Sequence, residues 1–148
     1  MMQLYHVRDR NDPLASIIKD DPVRAHIPLD QRINENAEIL ILKEGEKILA
    51  ATCLQWLKEV PEAEEDLQKI EKTQEVAVFY TIWSYAPGAG AKLIKQAAEW
   101  ILEAVDECRT IVTLSPQTEM ARRFHLKNGA TIRKENPTSV NYQYYSKE

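Results

Sequence analysis

The stretch EVAVFYTIWSY, Glu75 to Tyr85, is almost wholly apolar and rich in β-branched and aromatic residues. A run of that kind predicts a central strand covered on both faces. Directly after it the pattern changes period. Leu93, Ile94, Ala97, Ile101, Ala104 and Val105 form one stripe, with Lys95, Gln96, Glu99 and Glu103 opposite, which predicts an amphipathic helix. Between strand and helix lie Gly88, Ala89 and Gly90, a loop nearly bare of side chains.

The remaining elements arrange themselves around that core. LYHVR (Leu4 to Arg8) alternates as a short strand, and Asn11 or Asp12 can cap a helix that opens at Pro13. Lys19 to Asn36 is polar and broken by Pro22 and Pro28, and reads as one or two short helical turns. Two apolar runs around Glu44-Gly45 predict an antiparallel hairpin. The acidic KEVPEAEEDLQKIEKTQ reads as a loop or a short exposed helix able to overhang a site. RTIVTLSP is a further buried strand, QTEMARRFHLKNG a helix with Gly129 just past its end, and ATIRKE and VNYQYYS are two closing strands around NPTS.

Composition removes several function classes. The chain has 148 residues, 44% hydrophobic and 28% charged, which suits one folded domain spanning 1–148. A net charge of -4 leaves no basic footprint for a phosphate backbone, so no nucleic acid partner is expected. Cys53 and Cys108 form neither a disulfide framework nor a zinc spacing, and no metal is expected. The N-terminus lacks an apolar leader and no window approaches about 18 uninterrupted apolar residues, so a cytoplasmic protein with no membrane span is expected.

A strand, a small-residue loop and a helix start let backbone N–H groups converge on a phosphate, helped by the helix dipole. Lys92 and Lys95 fall in the first turns, where a bound anion would offset their mismatch with the dipole. The plain alternative is a strand-to-helix turn that needs glycine for its dihedrals. A dinucleotide fingerprint would require a third glycine where Leu93 stands, and a P-loop would require Gly-Lys-Ser/Thr; neither is present.

YAPGAGAKLI resembles the coenzyme-A-binding motif of the GNAT acyltransferase superfamily, Q/R-x-x-G-x-G/A, with Gly88 and Gly90 in place and Tyr85 standing where Gln or Arg is usual. TEMARRFHLKNGA is similar to the family's N-x-x-A-x-x-x-Y-x-x-x-G-F helix. Ala121 and Gly129 are in register, while Thr118, His125 and Ala130 replace the Asn, Tyr and Phe. The resemblance implies an α/β (α+β) three-layer fold with a mixed, mostly antiparallel central sheet of about seven strands and helices on both faces. It also implies acetyl-CoA or another acyl-CoA as acyl donor, with Tyr80, Thr81 and Ile82 beside the pantetheine. Tyr85, Gly88, Ala89, Gly90, Ala91 and Lys92 would then surround the phosphates. A β-branched residue at Gly88 or Gly90 is expected to abolish CoA binding and leave the fold intact.

Amine acylation by a thioester needs a base for the amine and an acid for the leaving thiolate. The resemblance places His125 as the acid and Glu75 as the base. Each also has a plain reading, as a half-exposed helix histidine and a solvated strand-end glutamate. Tyr142, Tyr144 and Tyr145 either donate a proton, stack in a substrate groove or fill the core. Arg122 and Arg123 either meet a CoA phosphate or keep the helix solvated, and the acidic run from Glu59 to Asp66 either attracts a cationic amine or is a solvated face.

The function expected is therefore acetyl transfer from acetyl-CoA to an unidentified primary amine by direct attack in a ternary complex, with a homodimer admitted. A GNAT-shaped binding protein without catalysis is the alternative, since fold alone never fixes function.

Overall fold

The computed structural model describes residues 1–147. Seven strands build one sheet: β1 (Met2–Val7), β2 (Ala37–Glu44), β3 (Lys47–Leu57), β4 (Val76–Ser84), β5 (Thr110–Thr113), β6 (Thr131–Glu135) and β7 (Val140–Ser146). Their spatial order is β1-β2-β3-β4-β5-β7-β6. Only β4 and β5 run parallel, because the long helix α2 (Ala89–Ala104) carries the chain back between them; the other neighbours are antiparallel.

Each face of the sheet has its own core. On one, Leu93, Ile94, Ala97 and Ile101 of α2 pack on Leu40, Leu42, Leu54, Ala77 and Phe79. Leu93 is fully buried, so its truncation to Ala would cost about 2–5 kcal/mol. On the other face, Ala15 and Ile17 from a 3₁₀ helix (Pro13–Asp20) and Leu67 from a second (Glu64–Gln68) meet Ile39, Ile41, Val76 and Val78. The alternation of these strand residues between two cores follows from the two-residue period of a strand. Asp12 caps the first 3₁₀ helix as its sequence predicts, accepting from Leu14 N at 2.9 Å, and Pro13 occupies the first helical position.

The polar stretch 19–36 holds one turn of α-helix, α1 (Leu29–Arg32), and buries several of its charged side chains. Arg32 and Asp21 form an ion pair of 2.8 Å with both side chains at 0% exposure. Arg32 further donates to the carbonyls of Ile27 and Arg24. Asp21 also accepts from Val23 N, Arg24 N and the Thr81 hydroxyl, which outweighs the cost of burial and holds its carboxyl below the usual range. Among the described residues no helix is long and apolar enough to cross a membrane.

Candidate active site

Strand β4 is irregular at its centre. Cys53 pairs with Thr81 while the next residue of β3, Leu54, pairs with Phe79, so Tyr80 is the extra residue of a β-bulge. The bulge turns Tyr80 and Thr81 toward the same side: Tyr80 packs with Val78 and Trp83, and the Thr81 hydroxyl donates to Asp21 at 2.7 Å. Arg24 holds the bulge from outside, its Nη1 donating to Tyr80 O at 2.6 Å.

At the same place β4 loses its other neighbour. It pairs with β5 only from Val76 to Phe79, the last contact being Leu114 N to Phe79 O at 3.1 Å. Beyond it β4 runs on to Ser84 while the chain after β5 turns away through Ser115 and Pro116. The two diverging segments open a cavity of about 600 Å³. Tyr80, Thr81, Ile82, Ser84 and Gly90 line one side and Pro116, Thr118, Ala121, Phe124 and His125 the other; Pro22, Val23 and Met120 are also at its walls. No carboxylate lines it among the described residues.

At the far end of β4 the loop turns through Gly88, whose φ of 73° is left-handed and suits glycine. Gly88 caps α2 without any side-chain hydrogen bond, and the first turn carries no acidic residue. The Ala89 N–H of this sixteen-residue helix is taken by the Ala86 carbonyl at 3.2 Å, and the next N–H groups, of Gly90 and Ala91, stand at the positive end of its dipole. A Cβ at Gly88 would meet nothing within 4 Å, so there is room for a phosphate over the loop.

Gly90 has a packing role that its sequence does not show. An added Cβ there would sit 3.0 Å from Ser84 Oγ and 3.3 Å from the Phe124 ring. Its small size lets the next helix, α3 (Glu119–Lys127), approach α2, so a β-branched residue at Gly90 would disturb the packing itself. The expectation of an intact fold is corrected at this position.

α3 brings His125 to the cavity. Thr118 caps it, accepting from Ala121 N at 3.2 Å. His125 is 5% exposed, not the half-exposed residue of the plain reading, and stacks on Tyr142 with ring centroids 4.8 Å apart. Its Nδ1 lies 2.7 Å from the Tyr144 hydroxyl and its Nε2 3.2 Å from Ser115 Oγ. Ser115 Oγ lies in turn 2.7 Å from Thr113 Oγ1, which accepts from Tyr142 N at 3.1 Å. Burial pushes the His125 pKa down to about 4, so the ring is uncharged at neutral pH. Burial pushes the Tyr144 phenol up, so it keeps its proton.

The structure brings together His125, Tyr80, Thr81, Ile82 and Gly90 and leaves Glu75 elsewhere. Glu75 precedes β4 at its opposite end, 3.6 Å from Arg109 Nε and within 3.1 Å of the Thr73 hydroxyl. Tyr85 points away from the cavity: its hydroxyl donates to Asp20 at 2.6 Å and accepts from Trp83 Nε1, and burial with the Asp20 bond pushes its pKa up to about 12. Ala91 and Lys92 line a shallow groove between α2 and Tyr144. Ser115 is the residue that sequence reasoning missed. The available signal was Thr113-x-Ser115, two hydroxyls spaced to share one side of the chain at the end of β5.

The chain as a whole superposes on known structures. No protein-family model matches the chain and no curated protein matches it by sequence. The GNAT domain of Streptomyces lividans PAT superposes with a TM-score of 0.66 at 11% identity, over 97% of this chain and 90% of that one. The chain has the GNAT fold. An Arabidopsis thaliana GNAT-fold protein solved in complex with acetyl-CoA gives 0.65 at 13% identity, over 98% of each chain. Malonyl-CoA decarboxylase from Agrobacterium vitis gives 0.79 at 19% identity, covering 99% of this chain. This GNAT-fold chain spans about three fifths of the decarboxylase chains it matches, 61%, 60% and 56% of their lengths.

Proposed function

We propose that this chain is an acyl-CoA-dependent N-acyltransferase that moves an acetyl group from acetyl-CoA to a primary amine by direct attack in a ternary complex. The observation that carries this reading is that β4 parts from β5 at its bulge and leads straight into the uncapped start of α2. Beyond Phe79 the main chain of β4 has no β5 partner; Arg24 takes the Tyr80 carbonyl and Thr52 the Thr81 carbonyl, and the remaining groups suit the amides of a pantetheine arm, with Tyr80, Thr81 and Ile82 beside it. Gly88, Ala89, Gly90 and Ala91 then meet the pyrophosphate, with Lys92 adding charge, while Tyr85 braces the loop through Asp20. The thioester end reaches the cavity wall at His125, with Ser115 buried directly behind it. The solved complex of a GNAT-fold protein with acetyl-CoA supports the donor.

A second reading is favoured by the cavity's lining. An ammonium acceptor usually meets a carboxylate, and none lines this cavity among the described residues; Glu75 is at the other end of the strand. Decarboxylation of a malonyl thioester needs no acceptor. The bond from carboxyl carbon to Cα breaks, its electron pair passes to the thioester as an enolate, CO₂ leaves, and Cα then takes up a proton. An uncharged hydroxyl donor such as Ser115, backed by His125, suits an enolate oxygen. The likeness to malonyl-CoA decarboxylases supports the same chemistry.

One assay separates the readings. The protein is incubated with acetyl-CoA and a panel of primary amines, and separately with malonyl-CoA alone, following free thiol and CO₂. Amine-dependent thiol release is the expected result; CO₂ release without an amine selects the second reading. No calorimetric heat from acetyl-CoA or malonyl-CoA would overturn both and leave a non-catalytic GNAT-fold protein.

A further inference from the structure

We infer that Tyr144 is a positioning residue that holds His125 in its Nε2–H tautomer, so that hydrogen bonding runs one way from Tyr144 through His125 to Ser115 and ends on a substrate oxygen. The inference deepens the acyl-CoA reading and, for its last link, rests on it.

The polarity follows from hydrogen-bond accounting. A neutral imidazole has one donor and one acceptor, so what Nδ1 does fixes what Nε2 does. The Nδ1 contact with Tyr144 is short, 2.7 Å, as expected of an O–H donor, and imidazole nitrogen is a far better acceptor than a phenol oxygen. The Nε2 contact with Ser115 Oγ is 3.2 Å, at the long end for an N–H donor to a hydroxyl. Tyr144 therefore gives to Nδ1, and Nε2–H gives to Ser115.

Thr113 Oγ1 already accepts Tyr142 N–H, and the acceptor within reach of its own proton is Ser115 Oγ at 2.7 Å. Ser115 Oγ then accepts twice, from Nε2–H and from Thr113, and both lone pairs are used. Its own hydrogen is the one donor of the chain left over. Ser115 stands between Leu114, the last residue paired to β4, and Pro116, which lines the cavity. Donors in series polarise one another, so the phenol of Tyr144 strengthens a hydrogen bond it never touches. His125 thereby acts as a donor at Nε2 rather than as a base.

The test reads the ring directly. Protein labelled with ¹⁵N-histidine holds three histidines, and long-range ¹H–¹⁵N spectra report the tautomer of each, with His125→Gln identifying the signal. At neutral pH the expected result is His125 in the Nε2–H form, moving to a mixture or to Nδ1–H in Tyr144→Phe. Nδ1–H in the unaltered protein, or an unchanged tautomer in folded Tyr144→Phe, would overturn the inference. On whichever thioester is turned over, Tyr144→Phe should lower kcat about tenfold with KM unchanged, the loss of one neutral hydrogen bond. Because the spectra need no turnover, failure of the acyl-CoA reading leaves the tautomer test standing.

Discussion

Arg24 Nη1 lies 2.6 Å from the carbonyl oxygen of Tyr80, the residue at which β4 bulges, and the Arg24 side chain is 8% exposed. A residue from the turn after the first 3₁₀ helix thus completes a hydrogen bond that the sheet leaves open. Its Nε faces Glu64 at 3.2 Å, so the same guanidinium also ties down the second 3₁₀ helix.

Arg24→Met should leave the Tyr80 carbonyl unpaired and cost about 1–3 kcal/mol of stability. Chemical denaturation would measure the loss. The same variant should weaken acyl-CoA binding if the proposed function holds, since the bulge shapes the cavity wall. Unchanged affinity in calorimetry would separate the bulge from binding.

Asp21 and Arg32 are both fully buried at the side chain, so removing one strands the other. Arg32→Met is expected to cost about 3–5 kcal/mol, and the pair Asp21→Asn with Arg32→Met less than the sum of the two single changes. Urea melts of the three proteins test this. Additive losses would mean that the two charges do not depend on each other.

These two predictions concern the segment that the sequence described least well. Polar composition and two prolines mark 19–36 as irregular, which it is, but composition cannot say that Asp21, Arg24 and Arg32 turn inward to meet one another. Partners far apart in sequence, such as Arg24 and Tyr80, carry no local signal. Residue pattern, by contrast, is local, and alternation, unbroken apolar runs and helical stripes make the seven strands and the two longer α-helices legible. His125 was legible through its motif position, and Gly88 through the turn it makes. The split of β4 from β5 was not, because EVAVFYTIWSY is uniformly apolar and gives no sign of where its pairing stops.

The two loop glycines should respond differently. Gly88→Ala meets open space and pays for its left-handed φ, about 1 kcal/mol, with CoA binding weakened where the phosphate approaches. Gly90→Val should lower the melting temperature more, because Ser84 and Phe124 must move. Thermal melts with calorimetry on both variants check the order, and equal melting temperatures would contradict it.

His125 gives a pH dependence of known sign. Its folded pKa of about 4 lies below the unfolded value near 6.5, so the unfolded chain binds more protons between them. The stability held by the neutral ring is complete above about 6.5 and falls as pH drops toward 4, by up to about 3 kcal/mol. Melts from pH 7.5 to 4.5 should show this slope in the unaltered protein and a shallower one in His125→Gln. Equal slopes would mean that the fold does not shift the titration of the ring.

The contact at Gly90 joins two parts of the site that are distant in sequence. On one side is the loop proposed to receive a phosphate; on the other, through Phe124, is the helix whose next residue is His125. With only a hydrogen atom between them there is no slack in the joint. A ligand that draws the loop toward Phe124 would press on the helix that carries the imidazole, so the phosphate and thioester ends of the proposed acyl-CoA would be felt by one lever rather than by two independent grips.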